Sequence, residues 1–242
     1  TPIKSAEDEF TASVDAVMAV VTERTKMVFL ANPNNPTGTY LPISELERLR
    51  ALLPEDVLLV IDDAYAEFVS RNDYAPGIEL VEAHDNVVMT RTFSKIHGLA
   101  ALRLGWAYCP EEIAMVYHRV RSPFNVNAAA QAAGLAALND AGHVAMARAH
   151  NDRWLAWWQD ECRRLRLQSI PSVGNFLTVH FGTQGPHSAE AAVEFLRLRG
   201  VLPRGIAAYG LAAYLRFTVG LEEENLAAIA AIEEFLSTTD GV

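Results

Sequence analysis

The sequence is poor in cysteine and in positive charge, and it has no long apolar run. Its 242 residues include two cysteines, which exclude a disulfide framework and show no metal-ligand spacing. Lysine and arginine total 20 against 30 acidic residues, so the formal net charge is −10 and nucleic acid is not an expected partner. No run reaches membrane-spanning length, and no signal peptide is visible. These absences predict a protein of the reducing cytoplasm that has no membrane partner.

Apolar segments in the first half alternate between strand-like and helix-like patterns. Three β-branched runs, at 27–32, 57–62 and 87–92, end in polar residues, and the pattern at 43–53 reads as a crossover helix with Pro42 in its first turn. Alternating strands and helices predict an α/β fold with a mostly parallel sheet and flanking helices. Ligands of such sheets bind at the carboxyl ends of the strands.

The second half predicts helices and a few short strands. A long amphipathic pattern at 143–165 carries three tryptophans and is expected to link two domains. We expect a large domain at 1–145 and a small C-terminal α+β domain at 146–242. The other predicted elements are strands at 104–109, 175–181 and 215–219 and helices at 111–121, 128–138, 188–199 and 223–236.

The segment 90–106 contains a candidate nucleophile, Lys95. A lysine is usually a solvated surface residue, but this one follows a buried-looking strand and lies beside hydroxyl groups. That setting suits a lysine that forms a Schiff base with a phosphorylated aldehyde cofactor. Arg103, eight residues on, could hold the cofactor phosphate by forked hydrogen bonds, and Thr92 and Ser94 could add their hydroxyls.

Two strand ends upstream carry further polar candidates. The segment 31–39 has the composition of a turn, and its rigid Asn-Pro steps could hold the Asn35 amide against a ligand hydroxyl or oxyanion. Asp62 and Asp63 end the next strand, and one of the two is expected to cap the following turn. A buried Asp62 could instead face a protonated pyridine nitrogen, with Tyr65 bonding the ring hydroxyl.

Two arginines in the second domain are candidates for binding an anion. Arg216 lies inside an apolar strand, and Arg204 lies twelve residues earlier. A strand-interior arginine usually faces solvent, and an anionic substrate is the alternative. No histidine has the partners of a catalytic triad, and no spacing predicts a metal site.

Together and in this order, the segments resemble those of fold-type-I pyridoxal-phosphate aminotransferases, and most of all histidinol-phosphate aminotransferases. The resemblance implies a pyridoxal-phosphate-transferase fold, pyridoxal 5'-phosphate as cofactor, and a cytoplasmic homodimer. It implies transamination of L-histidinol phosphate, a small-molecule amino donor, with the 2-oxo acid 2-oxoglutarate in histidine biosynthesis. The matching motifs are Asn-Pro-Asn-Asn-Pro-Thr-Gly at 32–38, Asp62 with Tyr65, Ser94-Lys95 with Arg103, Pro-Phe-Asn-Val-Asn at 123–127, Val-Leu-Pro-Arg at 201–204 and Leu-Arg-Phe-Thr-Val-Gly at 215–220.

The resemblance also implies a role for each candidate residue. Lys95 would hold the cofactor and move a proton between the substrate Cα and the cofactor, and Asp62 would pair with the pyridinium nitrogen. The other candidates would each bind one group of the ligands. Asn35 and Tyr65 would bind the ring hydroxyl of the cofactor, and Thr92, Ser94 and Arg103 would bind its phosphate. Arg216, with Arg204, would bind the substrate carboxylate or phosphate.

Two alternatives remain open at the level of the sequence. The same motifs resemble those of aromatic-amino-acid aminotransferases and of a threonine-phosphate decarboxylase. Family members also begin with strands and helices that have no counterpart here, so we expect an exposed sheet edge. A non-catalytic fragment that dimerises or regulates is therefore the second hypothesis.

Overall fold

The computed structural model describes residues 10–238, and these form two compact units. The first unit contains residues 10–34 and 39–148, and the second contains 35–38 and 149–238. The described residues include no helix that is both long and apolar enough to cross a bilayer. The labels of cofactor-binding domain and small domain stay predictions.

The first unit is built on a four-stranded sheet in the order β1-β2-β3-β4. The first three strands pair in parallel and β4 is antiparallel to β3, which confirms the predicted mostly parallel sheet. Its elements are α1 (Val14–Met18), β1 (Met27–Ala31), α2 (Ile43–Leu52), β2 (Leu58–Asp62), α3 (Ile78–Ala83), β3 (Val87–Thr92), β4 (Gly105–Tyr108), α4 (Glu111–Val120) and α5 (Ala128–Leu138).

The core of the first unit lies on one face of this sheet. Alternate residues of a strand point to opposite faces, so Leu59 and Ile61 of β2 face the same way and are fully buried. They belong to one apolar cluster with Leu46 and Leu49 of α2. Pro42 precedes α2 as its N-cap residue, so the prediction that it lies in the first turn was wrong by one position.

The second unit is a four-stranded antiparallel sheet in the order β5-β6-β8-β7 with helices. The helix α6 (Ala141–Arg164) begins in the first unit and continues into the second. Trp158 of α6 and residues of α7 and α8 share one apolar cluster with the sheet. The other elements are β5 (Ser169–Ile170), β6 (Phe176–His180), α7 (Ala189–Arg197), β7 (Arg204–Gly205), β8 (Tyr214–Thr218) and α8 (Glu222–Ser237).

Residues 35–38 belong to the second unit although their neighbours in the chain belong to the first. The Thr178 hydroxyl donates to the Pro36 carbonyl over 2.5 Å, and the Val173 N–H donates to the Gly38 carbonyl over 2.9 Å. Gly38 has φ +80°, and a Cβ there would lie 2.1 Å from the Ser172 hydroxyl oxygen. Only glycine has both the backbone freedom for this positive φ and no Cβ atom to clash with Ser172.

A buried arginine closes the end of α2. The guanidinium of Arg50 donates to the carbonyls of Leu53, Pro54 and Val57 over 2.7, 2.8 and 2.8 Å, and the residue is only 4% exposed. These carbonyls lie between α2 and β2, where no regular structure pairs them. The side chain therefore fixes the entry of the chain into β2.

We expect Arg50→Leu to lower the free energy of unfolding by about 2–4 kcal/mol, because it removes the guanidinium donor from the carbonyls of the buried Leu53 and Val57. Arg48→Leu is the matched control, since Arg48 is on the same helix and forms exposed ion pairs with Asp15 and Glu45. That change should cost about 1 kcal/mol or less. Urea denaturation of both variants checks the prediction, and equal losses would contradict it.

Candidate active site

Three parallel strands bring their carboxyl ends to one edge of the first unit's sheet. Ala31 pairs with Asp62, and Asp62 pairs with Thr90, so the ends of β1 and β2 are in register beside β3. Thr92 ends β3 two residues later. Predicted ligand-binding residues that are about thirty positions apart in the chain thus share this edge.

Asp62 lies at this edge with its carboxylate exposed. Its Oδ1 accepts the Ala64 N–H over 3.2 Å and lies 3.5 Å from the Thr90 hydroxyl, which donates to it. The expectation of a buried Asp62 was wrong for the chain as described. The strand alternation explains this, because Ile61 takes the helix-covered face and Asp62 takes the opposite one.

Asp63 is completely buried. Its Oδ2 accepts the Gly77 N–H over 2.9 Å, and its Oδ1 lies 3.3 Å from the Tyr74 hydroxyl, within hydrogen-bond distance. Burial raises the pKa of this carboxyl from 3.8 to about 7, against the opposing effects of the Gly77 N–H, Arg91 and Tyr74. The sequence indicated that one of the two acids acts as a cap. Asp62 accepts the N–H of the following turn, whereas Asp63 binds a distant loop.

The structure brings Lys95 and Tyr65 together. The Lys95 Nζ lies 5.1 Å from the centroid of the buried Tyr65 ring, within the range of a cation–π contact. The loop after Lys95 is braced, since its carbonyl accepts the Gly98 N–H over 2.9 Å and the Ile96 carbonyl lies 3.0 Å from His143 Nε2. The lysine is half-buried on an ordered loop rather than extended into solvent.

Of the three predicted phosphate-binding residues, Thr92 ends β3 and Ser94 and Arg103 follow it. The Ser94 N–H donates to the Thr92 hydroxyl oxygen over 3.0 Å, which places the two side chains on one tight turn. Arg103 is exposed, has φ +54°, and donates from Nη1 to the Ala100 carbonyl over 2.8 Å. The assignment of all three to a phosphate stays a prediction.

The remaining candidates, Asn35, Arg204 and Arg216, lie in the second unit. Arg204 of β7 and Arg216 of β8 are directly opposite each other, so their side chains share one face of the sheet. Arg216 donates from Nη1 to the Asn35 Oδ1, and its guanidinium lies 4.9 Å from the centroid of the Phe176 ring. Both arginines line a cleft of about 840 Å³.

Sequence reasoning did not identify several residues that support these groups. Thr90 contacts Asp62, Tyr74 contacts Asp63, and His143 contacts the loop that carries Lys95. Each contact joins residues that are distant in the chain, so no local pattern indicates it. The Thr90 contact alone could have been anticipated, from the register of two parallel strands.

The chain belongs to the aminotransferase class I and II family, whose model matches residues 1–232. It is similar to the histidinol-phosphate aminotransferase of Paramagnetospirillum magneticum, with 56% identity over 236 residues that cover 98% of this chain and 65% of that protein. The histidinol-phosphate aminotransferase of Rhodopseudomonas palustris is 51% identical over 231 residues, 96% of this chain and 63% of that protein. The chain thus spans slightly less than two thirds of these curated relatives.

A solved structure shows the same fold. The histidinol-phosphate aminotransferase of Sinorhizobium meliloti, in complex with pyridoxal-5'-phosphate, superposes with a TM-score of 0.84 and 29% sequence identity. The match covers 93% of this chain and 61% of that chain. The predicted fold class is confirmed by this similarity.

We expect the stability of the chain to depend on pH through Asp63. Its pKa is higher in the native than in the unfolded state, so its stabilising contribution is complete below about pH 4 and is lost as the pH rises to about 7. Asp63→Asn keeps the shape and cannot ionise. The free energy of unfolding of the wild type should therefore fall relative to this variant by up to about 4 kcal/mol between pH 4 and pH 7. Urea denaturation across this range measures the difference, and a constant difference would contradict the assignment.

Proposed function

We propose that the protein to which this chain belongs is a pyridoxal-phosphate-dependent aminotransferase that acts on L-histidinol phosphate and 2-oxoglutarate. The observation that carries the proposal is the amine of Lys95 held beside the Tyr65 ring, in the same unit as the carboxylate of Asp62. The sequence identity of 56% and 51% to two histidinol-phosphate aminotransferases supports the choice of substrate.

The chemistry of the donor set fits pyridoxal phosphate. The first unit offers an amine for the aldehyde carbon in Lys95, and an exposed carboxylate for the pyridinium nitrogen in Asp62. Hydroxyls and a guanidinium at the end of β3 suit the phosphate, and Arg103 is exposed and able to reach an anion. The aldehyde carbon, the ring nitrogen and the phosphate of the cofactor therefore each have a chemically suitable residue among the candidates.

When bound, the cofactor supplies an electron sink that makes the hydrogen on the substrate Cα removable. The residues of the chain would bind the cofactor and move the protons. The carboxylate of Asp62 would keep a proton on the ring nitrogen, because a negative charge beside the nitrogen favours the protonated form. Lys95 would hold the cofactor through its amine, and the same amine would move the proton at the substrate Cα. The Tyr65 ring restricts where that amine can lie.

The two arginines of the second unit are proposed to bind the anionic end of the substrate. Opposite positions on neighbouring antiparallel strands bring the side chains close, and like charges there repel each other. An anion between them would relieve this repulsion and accept forked hydrogen bonds from both guanidinium groups. Both a phosphate and a carboxylate have that chemistry.

We further propose that the whole protein works as a cytoplasmic homodimer. The support for this is the resemblance to the aminotransferase family. Sedimentation of the protein at micromolar concentration tests the proposed dimer.

We expect the chain to take up pyridoxal phosphate and to carry it on Lys95 after borohydride reduction. The chain has three lysines, Lys4, Lys26 and Lys95, so peptide mapping identifies the modified one without ambiguity. Lys95→Ala should abolish the reducible absorbance band. Lys26→Ala is the control, because Lys26 forms an exposed ion pair with Asp56 over 2.5 Å.

Label on Lys26 alone, or none on any lysine, would contradict the role given to Lys95. A folded chain that remains colourless with excess pyridoxal phosphate would favour the hypothesis of a non-catalytic fragment. Far better turnover of phenylalanine than of L-histidinol phosphate by the protein would show that the substrate assignment is wrong.

We expect Arg216→Gln to weaken binding of L-histidinol phosphate by tenfold or more, because one of two forked donors to the anion is lost. The absorbance of the protein loaded with pyridoxal phosphate, followed during substrate titration, measures this affinity. Arg197→Gln is the matched control, since Arg197 pairs with Glu194 on the surface. Equal substrate affinity in the two variants would contradict the proposed role.

A further inference from the structure

Two adjacent acids at the end of β2 have opposite surroundings. Asp62 is exposed at the carboxyl edge of the sheet, whereas Asp63 is fully buried. The role proposed for the site uses the first carboxylate and gives none to the second. Burial of a carboxyl group has an energetic cost that its hydrogen bonds must offset, so its contacts need an explanation.

The contacts of Asp63 join three segments of the first unit. Its carboxyl group binds the Gly77 N–H over 2.9 Å and the Tyr74 hydroxyl over 3.3 Å, both in the loop before α3. The Tyr74 hydroxyl also lies 3.1 Å from the carbonyl of Asn32, directly after β1. The carboxyl group therefore links the end of β2 to a loop and, through one hydroxyl, to the end of β1.

The backbone of Asp63 belongs to the same turn as the candidate residues. Its N–H donates to the Thr90 carbonyl over 3.0 Å, and its carbonyl accepts the Ala66 N–H over 3.1 Å. Asp62 precedes it and Tyr65 lies two positions after it. A shift of the Asp63 side chain would thus move the turn 62–66 as a whole.

The hydrogen atoms of this network match a neutral acid. Tyr74 has a single hydroxyl hydrogen and faces two acceptors, Asp63 and the Asn32 carbonyl. If Asp63 keeps its proton, it donates to Tyr74, and Tyr74 donates to Asn32. Both bonds are then made. Asparagine can reproduce this pattern with its amide, whereas alanine cannot.

We propose that Asp63 is a positioning residue that holds the turn 62–66, with Asp62 and Tyr65, in place at the carboxyl edge of the sheet. The inference rests on the proposed function in so far as these two residues bind pyridoxal phosphate. Sites of this kind tolerate displacements of only about 0.5 Å, so the turn needs support from outside. Asp63 acts through the turn and does not touch the ligand.

The first test uses the 242-residue chain without any ligand. Asp63→Ala should accelerate the hydrogen exchange of the Ala64 and Ala66 amides at least tenfold, because the turn loses its support. Neither amide bonds the Asp63 side chain, so faster exchange reports on opening of the turn and not on a lost bond to that side chain. Asp63→Asn should stay within about threefold of the wild type. Asp73→Ala is the matched control, since Asp73 is an exposed acid of the same loop that accepts the Tyr40 hydroxyl.

The second test adds pyridoxal phosphate itself. Asp63→Ala should raise its dissociation constant at least tenfold and shift the pH midpoint of the absorbance band of the bound form. Asp63→Asn should restore both values to near those of the wild type. Equal weakening by alanine and asparagine would show a role of charge and would overturn the positioning role.

The outcomes separate this inference from the proposed function. If the wild type takes up no pyridoxal phosphate, the proposed function fails, and amide exchange alone decides the role of Asp63. Unchanged exchange of Ala64 and Ala66 in a folded Asp63→Ala variant overturns the inference. If that variant does not fold, Tyr74→Phe replaces it, and exchange of Ala66 should then rise at least threefold. No rise in that variant also overturns the inference.

Discussion

The parallel pairing of β1, β2 and β3 is the constraint on which the candidate site depends. Parallel strands in register place their carboxyl ends at one edge, and here Ala31, Asp62 and Thr90 are neighbours across the sheet. The buried, apolar residues of β2 and β3 hold this register, because a slip by one residue would turn every side chain to the wrong face. The packing of the core and the geometry of the site therefore have the same cause.

The alternation of side chains along β2 also explains why Asp62 and Asp63 have different surroundings. Ile61 faces the core under α2, so Asp62 faces the open side, and the chain then turns and buries Asp63. The exposed carboxylate of Asp62 is accessible to a ligand at this edge of the sheet. A buried one is stable only with hydrogen bonds, and these join it to the loop of Tyr74 and Gly77.

The sequence alone predicted the mostly parallel sheet and the position of Asp62 at the end of a strand, because apolar runs with polar ends are local patterns. It could not reveal short elements such as β7, whose two residues have no periodicity. The direct pairing of Arg204 with Arg216 depends on that strand and therefore could not be predicted from the sequence. The exposure of Asp62 and the bond between Asp63 and Gly77 depend on tertiary packing, which no local pattern contains.

The two arginines of the second unit differ in how they are held. Arg216 is held between the Asn35 amide oxygen and the Phe176 ring, so its guanidinium is fixed before any ligand arrives. Arg204, opposite it, is exposed and free to approach an anion from the other side. The sheet face therefore presents one guanidinium that is fixed by its neighbours and one that is exposed to solvent. The substrate role proposed for the two arginines would use both, because a phosphate ester and a dicarboxylic oxo acid each carry an anionic group.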